Sequence, residues 1–155
     1  MPKPLDQIDK KLLKALVEDA RLTSNQLAEI AGLSASPCWQ RVKRLEKEGI
    51  IKGYTTVLDN KKLGAAEIIL LEITLDKQIE GAIEDFANEI KKMPEVLEAF
   101  LTSGKYDYFL KIAVNGTEEY QKFLMEKLYK IESIRETRSM FALSCVKDTQ
   151  SYIPD

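Results

Sequence analysis

The segment SASPCWQRVKRLEKEGIIKGY, residues 34–54, concentrates positively charged side chains. It holds five Lys or Arg residues and two Glu residues, although the 155-residue chain has a formal net charge of −2. Lys can neutralise a phosphate oxygen, Arg can donate two hydrogen bonds to guanine, and Gln can pair with adenine. The segment therefore has side chains suited to contact with DNA. Its cationic residues are Arg41, Lys43, Arg44, Lys47 and Lys52.

The charge of the chain is unevenly distributed between its two halves. Residues 1–64 carry a net charge of +4 and residues 65–155 one of −6, a difference that the overall pI of about 5.4 conceals. A basic half in an acidic chain favours contact with a polyanion. A helix face that is simply exposed to solvent is the alternative interpretation of the same charges.

The residue types that enzymes use most are scarce in this chain. It contains no His, which removes the commonest general base and a common metal ligand. Cys38 and Cys145 lie in separate segments, so they predict neither a metal site nor a disulfide. No paired-carboxylate or phosphate-loop pattern surrounds acids such as Asp107 and Glu136. The sequence predicts a protein that is not an enzyme and uses no metal or cofactor; an enzyme built on the second half is the alternative.

The composition is that of a folded protein, with 45% hydrophobic and 31% charged residues. No apolar run approaches the roughly 18 residues that a membrane span needs. The beginning of the chain, MPKPLDQIDKK, lacks the apolar core of a signal peptide. We therefore expect a cytoplasmic protein with no membrane segment.

Two helices precede the basic segment. The first begins at Asp6, a favourable N-cap residue, and its apolar residues recur at helical spacing until about residue 20. The second begins at Thr23, which forms a capping-box pattern with Gln26. Gly32 follows it, where a left-handed residue would end the helix and turn the chain.

The third helix carries the basic residues. Either Ser34 or Ser36 can cap it, Pro37 lies in its first turn, and Gly49 ends it. Helical spacing places Cys38, Val42 and Leu45 on the inward side. The alternating residues IIKGYTTVLD then predict a short pair of strands, which would form a wing.

Two short helices joined by a tight glycine turn predict a winged helix-turn-helix in residues 1–60. Trp39 is interpreted as a residue of the domain boundary or of a dimer contact rather than a base contact. Base edges are assigned to Ser36, Gln40, Arg41 and Arg44, and phosphates to Lys43, Lys47 and Lys52. The full set of predicted DNA-contacting residues is Ser34, Ser36, Pro37, Gln40, Arg41, Lys43, Arg44, Lys47 and Lys52.

The pattern changes after the turn-rich junction at residues 60–64. Four apolar strands and two amphipathic helices follow in the order βαββαβ, which is typical of a ferredoxin-like domain in residues 61–155. Because the strands show no clean alternation, both faces of the sheet are expected to be buried, the second by another copy of the chain. The strands are predicted at residues 66–75, 96–104, 107–114 and 134–148, and the helices at 79–93 and 117–131, the last capped by Thr117.

Three segments carry a resemblance to a known family: LSASPCWQRVKRLEKEGIIKGYTTVLDNKKLG, TSGKYDYFLKI and RETRSMFALSCVKDT. In this order they closely resemble the Lrp/AsnC (leucine-responsive, feast/famine) transcription regulators, over about residues 5–147. The resemblance implies an α+β protein with an N-terminal winged helix-turn-helix and a C-terminal βαββαβ domain for effector binding and oligomerisation. It also implies homodimers that assemble into tetramers or octamers, with a free amino acid bound between dimers.

The resemblance further implies an effector site around the loop SGKYDY. Gly104 would let the ligand approach backbone amides, Asp107 would pair with its α-ammonium group, and Tyr106 would line the side-chain pocket. Thr137 and Ser139 of the last strand are expected to contribute. The resulting hypothesis is a sequence-specific regulator that binds double-stranded DNA and responds to an amino acid or a related metabolite. The alternative is a nucleoid-type architectural protein with weak sequence preference.

Overall fold

The structure is a computed structural model that describes residues 4–149 and 151–154. The described residues form two compact units. The head unit consists of the described residues as far as Val57 and those in 147–149 and 151–154, and the sheet unit is Leu58–Val146. This division differs from the expected domains 1–60 and 61–155 in that the C-terminal residues lie with the head unit.

The head unit contains three helices: α1, Gln7–Glu18; α2, Ser24–Ala31; and α3, Ala35–Lys47. The predicted caps are confirmed for the first two. Asp6 accepts the backbone N–H of Asp9 at the start of α1, and the Thr23–Gln26 capping box starts α2. Each cap satisfies backbone groups that the first turn of a helix leaves unpaired.

Gly32 makes the turn between α2 and α3. Its φ of 68° lies in the left-handed region, and its N–H donates to the carbonyl of Glu29. Glycine adopts this conformation without the steric cost that a Cβ atom brings. The turn lets the three helices share one apolar core, which consists of Leu12, Ala15, Leu27, Ala28, Ala31 and Cys38.

The prediction of a strand pair after α3 is wrong. Residues 48–66 are all described and include no strand. Tyr54, Val57 and Leu58 are exposed there, and none of residues 48–66 is paired in a strand ladder. Alternating β-branched and aromatic residues favour an extended chain, but a ladder requires a second strand.

The C-terminal residues of the head unit lie beside this extended segment and α1. Residues 151–154 line an apolar cleft of about 590 Å³ together with side chains such as Leu13, Leu16 and Ile50. Ile153 is half-buried there, whereas Tyr152 is exposed. The chain therefore returns to its first domain after completing the second.

The sheet unit follows the predicted βαββαβ order. Its four strands form one antiparallel sheet in the order β2-β3-β1-β4. This is the ferredoxin-like arrangement that the sequence predicts. The elements are β1, Glu67–Leu75; α4, Ala82–Ile90; β2, Val96–Leu101; β3, Tyr108–Val114; α5, Gly116–Glu126; a 3-10 helix, Leu128–Lys130; and β4, Ile134–Phe141.

The two faces of this sheet differ in burial. Alternate residues of β1 and β3, such as Ile73 and Leu110, are fully buried in a core with Phe86 of α4 and Phe123 of α5. Most of the intervening residues of β1 and β3 are half-buried, as at Glu72, although Thr74 and Ala113 are buried. The helices thus cover one face, and the expected burial of both faces does not occur within the protomer.

Several boundaries in the sheet unit differ from those predicted, including the end of β4 and the start of α5. β4 ends at Phe141 rather than at residue 148, because the N–H of Ala142 donates to Ile68 near the start of β1 and the ladder goes no further. α5 begins at Gly116 after Asn115, not after a Thr117 cap. A strand ends where its partner ends, so the apolar pattern alone overestimates its length.

We expect Gly32→Ala to destabilise the head unit by about 1–2 kcal/mol relative to Gly53→Ala. The reason is that Gly32, unlike Gly53, has a left-handed backbone conformation. An added Cβ meets no atom within 4 Å at either position, so backbone strain alone separates the two variants. Urea unfolding followed by the fluorescence of Trp39, the single Trp, measures the difference. Equal midpoints would contradict the role of Gly32.

Candidate nucleic-acid interface and effector loop

α3 presents a polar side opposite its core side. Cys38 and Leu45 are fully buried against the other helices. Helical periodicity places a second set of side chains on the opposite side, and all of them are exposed. This set, which we call the outward set, consists of Ser36, Gln40, Lys43 and Lys47. Ser34, Pro37 and Lys52 are also exposed.

Arg41 and Arg44 lie on the flank of α3 that faces α1. Arg41 Nη1 is 2.6 Å from Asp6 Oδ2 and 2.8 Å from Asp9 Oδ1. Arg44 Nη2 is 2.5 Å from Asp9 Oδ2. The two guanidinium groups therefore form ion pairs with α1, whereas the sequence analysis assigned them to base edges. That assignment is not tested by the structure.

Asp9 is the centre of this group of charges. Its side chain is fully buried, while those of Arg41 and Arg44 are 28% and 24% exposed. Asp9 Oδ2 also accepts the backbone N–H of Asp6, at 3.2 Å. From the sequence, Asp6 was assigned only as an N-cap and no ion-pair partner was assigned to Asp9, because nothing in the local sequence identifies a partner more than thirty residues away.

The ion pairs change the protonation of both carboxyl groups. The hydrogen bond from Arg41 lowers the pKa of Asp6 to about 2. Burial alone would raise the pKa of Asp9, but the hydrogen bonds from Arg44 and Arg41 outweigh burial and the pKa is lowered. The same contacts raise the pKa of Arg41. All of these groups are charged at neutral pH.

Glu46 stabilises the opposite flank of α3. Its carboxylate accepts hydrogen bonds from Lys43 Nζ at 2.7 Å and from the Tyr54 hydroxyl at 3.0 Å, and these bonds lower the pKa of Glu46. Tyr54 thereby attaches the extended segment to the helix. Trp39 lies on this flank and is 53% exposed, so its ring is not part of the head core.

The loop SGKYDY lies between β2 and β3. Asp107 Oδ2 accepts the N–H of Leu75 at 2.9 Å, and Oδ1 is 3.2 Å from Lys77 Nζ. The bond from Leu75 and the ion pair with Lys77 lower the pKa of Asp107 despite its partial burial. The Tyr106 hydroxyl accepts a hydrogen bond from Arg138 at 3.3 Å. Around Gly104 a Cβ atom would meet nothing within 4 Å, so the loop leaves open space there.

Thr137 and Ser139 lie on β4, with their side chains toward the helices. Thr137 hydrogen-bonds Tyr129 at 3.1 Å, and Ser139 hydrogen-bonds Tyr120 at 2.6 Å. Tyr106 instead contacts Arg138, whose side chain is on the other face of the same strand. The protomer therefore brings Gly104, Tyr106 and Asp107 together on one loop and does not join them to Thr137 and Ser139.

No group of three or more His, Cys, Asp or Glu side chains within residues 4–149 and 151–154 has the arrangement needed to hold a metal ion. Over the same part of the chain, no helix has the length and hydropathy of a transmembrane span.

Family models match both parts of the chain. The model for a winged helix-turn-helix DNA-binding domain matches residues 5–52. The model for the Lrp/AsnC ligand binding domain matches residues 68–152. The leucine-responsive regulatory protein of Escherichia coli K12 is 36% identical over 151 residues, which cover 97% of this chain and 92% of that protein.

Solved structures agree with the sequence comparisons. A transcriptional regulator from Neisseria meningitidis in complex with L-Met aligns with a TM-score of 0.93 at 33% identity, covering 97% of each chain. An AsnC family transcriptional regulator from Agrobacterium tumefaciens aligns with a TM-score of 0.90 at 31% identity, covering 96% of this chain and 97% of that one.

A basic recognition helix in a helix-turn-helix head, followed by a four-stranded antiparallel sheet with two helices, defines a two-domain DNA-binding transcription regulator. The chain belongs to the Lrp/AsnC family of such regulators. This family consists of regulators and not enzymes, which confirms the expectation drawn from the scarcity of catalytic residue types.

We expect the head unit to lose stability as the pH falls from about 4 to about 2. An unfolded Asp titrates near pH 3.9, and the folded pKa values of Asp6 and Asp9 are both lower. Their ionised forms therefore stabilise the head above pH 4, and protonation removes that contribution as the pH approaches the folded values. Urea midpoints between pH 2.5 and 6, followed by Trp39 fluorescence, measure the loss.

Asp9→Asn should show a smaller loss of stability over this pH range, because one of the two titrating groups is gone. Glu18→Gln removes an exposed carboxylate from the same helix and serves as the control. The same pH dependence in Asp9→Asn and in the wild-type chain would contradict the prediction.

Proposed function

We propose that this chain is a cytoplasmic, sequence-specific regulator whose helix α3 enters the major groove of double-stranded DNA. The observation that carries the proposal is the outward set of α3, whose exposed side chains lie opposite the buried Cys38 and Leu45. Gln40 would pair with an adenine edge, Ser36 would contact a base or a sugar-phosphate, and Lys47 would neutralise a phosphate.

A homodimer formed through the sheet unit would present two such helices. The uncovered face of the sheet carries half-buried or exposed apolar side chains on adjacent strands, including Leu70, Phe100, Phe109 and Met140. Phe100 is 51% exposed although it lies in a strand. A second copy would bury this face, and a two-fold axis would place half-sites about 34 Å apart or at a multiple of that distance.

Glu72 supports a partner on the same face. Its Oε2 atom is buried and has no hydrogen-bond partner within the described protomer. Glu72 lies opposite Phe109 on one side and Arg138 on the other. A buried carboxylate oxygen without a partner is costly, and a donor from the second copy would remove that cost.

We further propose that the loop of Gly104, Tyr106 and Asp107 binds a free amino acid. The relative from Neisseria meningitidis is titled as a complex with L-Met, which supports an amino acid as the ligand class. Lys77, whose side chain is 74% exposed, pairs with Asp107. The Asp107 side chain is only 13% exposed, but the Lys77 end of the pair is open to solvent, so an α-ammonium group can take its place.

Assembly beyond the dimer would complete this effector site. Thr137 and Ser139 are bonded to tyrosines on the helix side of β4, away from the loop. A ligand that contacts both groups of residues would then lie between different copies of the chain. Tetramers or octamers built from dimers would supply that arrangement, and ligand binding would then shift the assembly equilibrium.

Selection from random-sequence duplexes tests the DNA proposal. We expect enrichment of a two-fold symmetric sequence. Gln40→Ala should weaken binding to the selected duplex by about 1–3 kcal/mol, because it removes a bidentate base contact. Binding to a shuffled duplex of the same composition should hardly change. Fluorescence anisotropy at fixed salt measures both affinities.

Gln7→Ala makes the same chemical change at an exposed position of α1 and should leave both affinities unchanged. Lys47→Ala should weaken binding to the selected and to the shuffled duplex alike, and it should reduce the slope of log K against log salt concentration by about 1. Tight binding without enrichment of any sequence would favour the architectural alternative.

Light scattering and thermal unfolding with each of the twenty amino acids test the effector proposal. One or a few should raise both the molar mass and the unfolding midpoint. Asp107→Asn should raise the Kd about tenfold or more, because the charged acceptor for the α-ammonium group is lost. Lys77→Met should lower the Kd, because it removes the competing ammonium group.

Asp85→Asn alters an exposed carboxylate of α4 and is the matched control. An Asp107→Asn chain that folds and binds the amino acid as tightly as the wild type would exclude Asp107 from the site.

A further inference from the structure

Asp9 is a buried charge that the DNA-binding function described above does not use. Its carboxylate is fully buried, and each of its oxygens accepts a hydrogen bond from an arginine of α3. We propose that Asp9, assisted by Asp6, is a positioning residue for DNA recognition. It holds Arg41 and Arg44 away from phosphates and thereby keeps binding to cognate DNA well above binding to other sequences. This inference rests on the proposed contact between α3 and DNA.

The position of the Asp9 carboxylate is fixed by helix α1 itself. Asp9 occupies the third position of the helix, and its Oδ2 completes the capping box with the N–H of Asp6. The carboxylate therefore cannot move without breaking the start of α1. Two charge-assisted bonds, 2.8 Å to Arg41 and 2.5 Å to Arg44, then orient α3 about its axis.

The charges in this cluster balance, with two carboxylates facing two guanidinium groups. Arg44 lies four residues after Gln40 and therefore beside the outward set, whereas Arg41 is rotated about 100° from Gln40 toward the buried side of α3. Both are partly exposed and have long, flexible side chains. An arginine released from Asp9 is therefore within reach of the backbone of a duplex bound by the outward set.

Released arginines would strengthen binding to every sequence alike. Phosphate contacts carry no sequence information, and they dominate non-specific affinity. Each additional phosphate contact steepens the slope of log K against log salt concentration by about 0.9. The ion pairs with α1 thus limit the affinity for DNA of any sequence, while the outward set contacts the bases.

The decisive variant is Asp9→Asn, compared with Glu18→Gln, which raises the net charge of the same helix by the same amount at an exposed position. Both are titrated with the duplex that the wild-type chain selects and with its shuffled counterpart, at several salt concentrations. We expect Asp9→Asn to bind the shuffled duplex about threefold or more tightly. The salt slope should steepen by about 0.9 for each arginine released. The specificity ratio, which is the affinity for the selected duplex divided by that for the shuffled one, should fall. Glu18→Gln should leave both the slope and the ratio unchanged.

Two further variants keep the inference testable if Asp9→Asn folds poorly. Asp6→Asn removes the half-exposed carboxylate and should change the ratio and the slope in the same direction, by a smaller amount. Asp9→Asn combined with Arg44→Gln removes both partners of one ion pair and should restore the ratio toward the wild-type value.

A purely structural role for Asp9 gives a different result. Affinities for both duplexes would then fall together in the variant, with the ratio and the salt slope unchanged for the folded fraction, and that result would overturn the inference. An equal effect of Glu18→Gln would also overturn it, because net charge alone would explain the change. If the wild-type chain selects no duplex at all, the proposed function fails first.

Discussion

A buried carboxylate governs the arrangement of the head unit. An ionised side chain without solvent must be paired on all of its acceptor positions, because an unpaired buried charge costs several kcal/mol. Asp9 meets this requirement through the start of α1 and through two arginines of α3. The same three groups that satisfy the charge therefore set the direction in which α3 presents its outward residues.

The sheet unit follows a different constraint, since one layer of helices covers only one face of a sheet. The covered face contains the apolar core, and the other face mixes aromatic side chains with Glu72, whose Oε2 has no hydrogen-bond partner within the described protomer. The loop of Tyr106 and the polar residues Thr137 and Ser139 of β4 make their contacts on different faces of the same sheet. Both observations fit a domain that is completed by other copies of itself.

Much of the fold could be predicted from sequence because it is determined by local interactions. The capping box of Thr23 and Gln26 and the turn at Gly32 depend on residues three or four positions apart, and both were identified correctly. The βαββαβ order follows from changes in apolar period along the chain. The family was recognised from three segments, and the comparisons confirm it.

The sequence by itself determined the order of elements, the helix-turn-helix, the basic surface of α3 and the family. Only the tertiary structure decided which side chains meet. It paired Arg41 and Arg44 with Asp9, turned Ser139 toward Tyr120, and left the segment after α3 without a strand partner. Capping and periodicity act over one or two turns of chain, whereas these contacts join residues that only packing brings together.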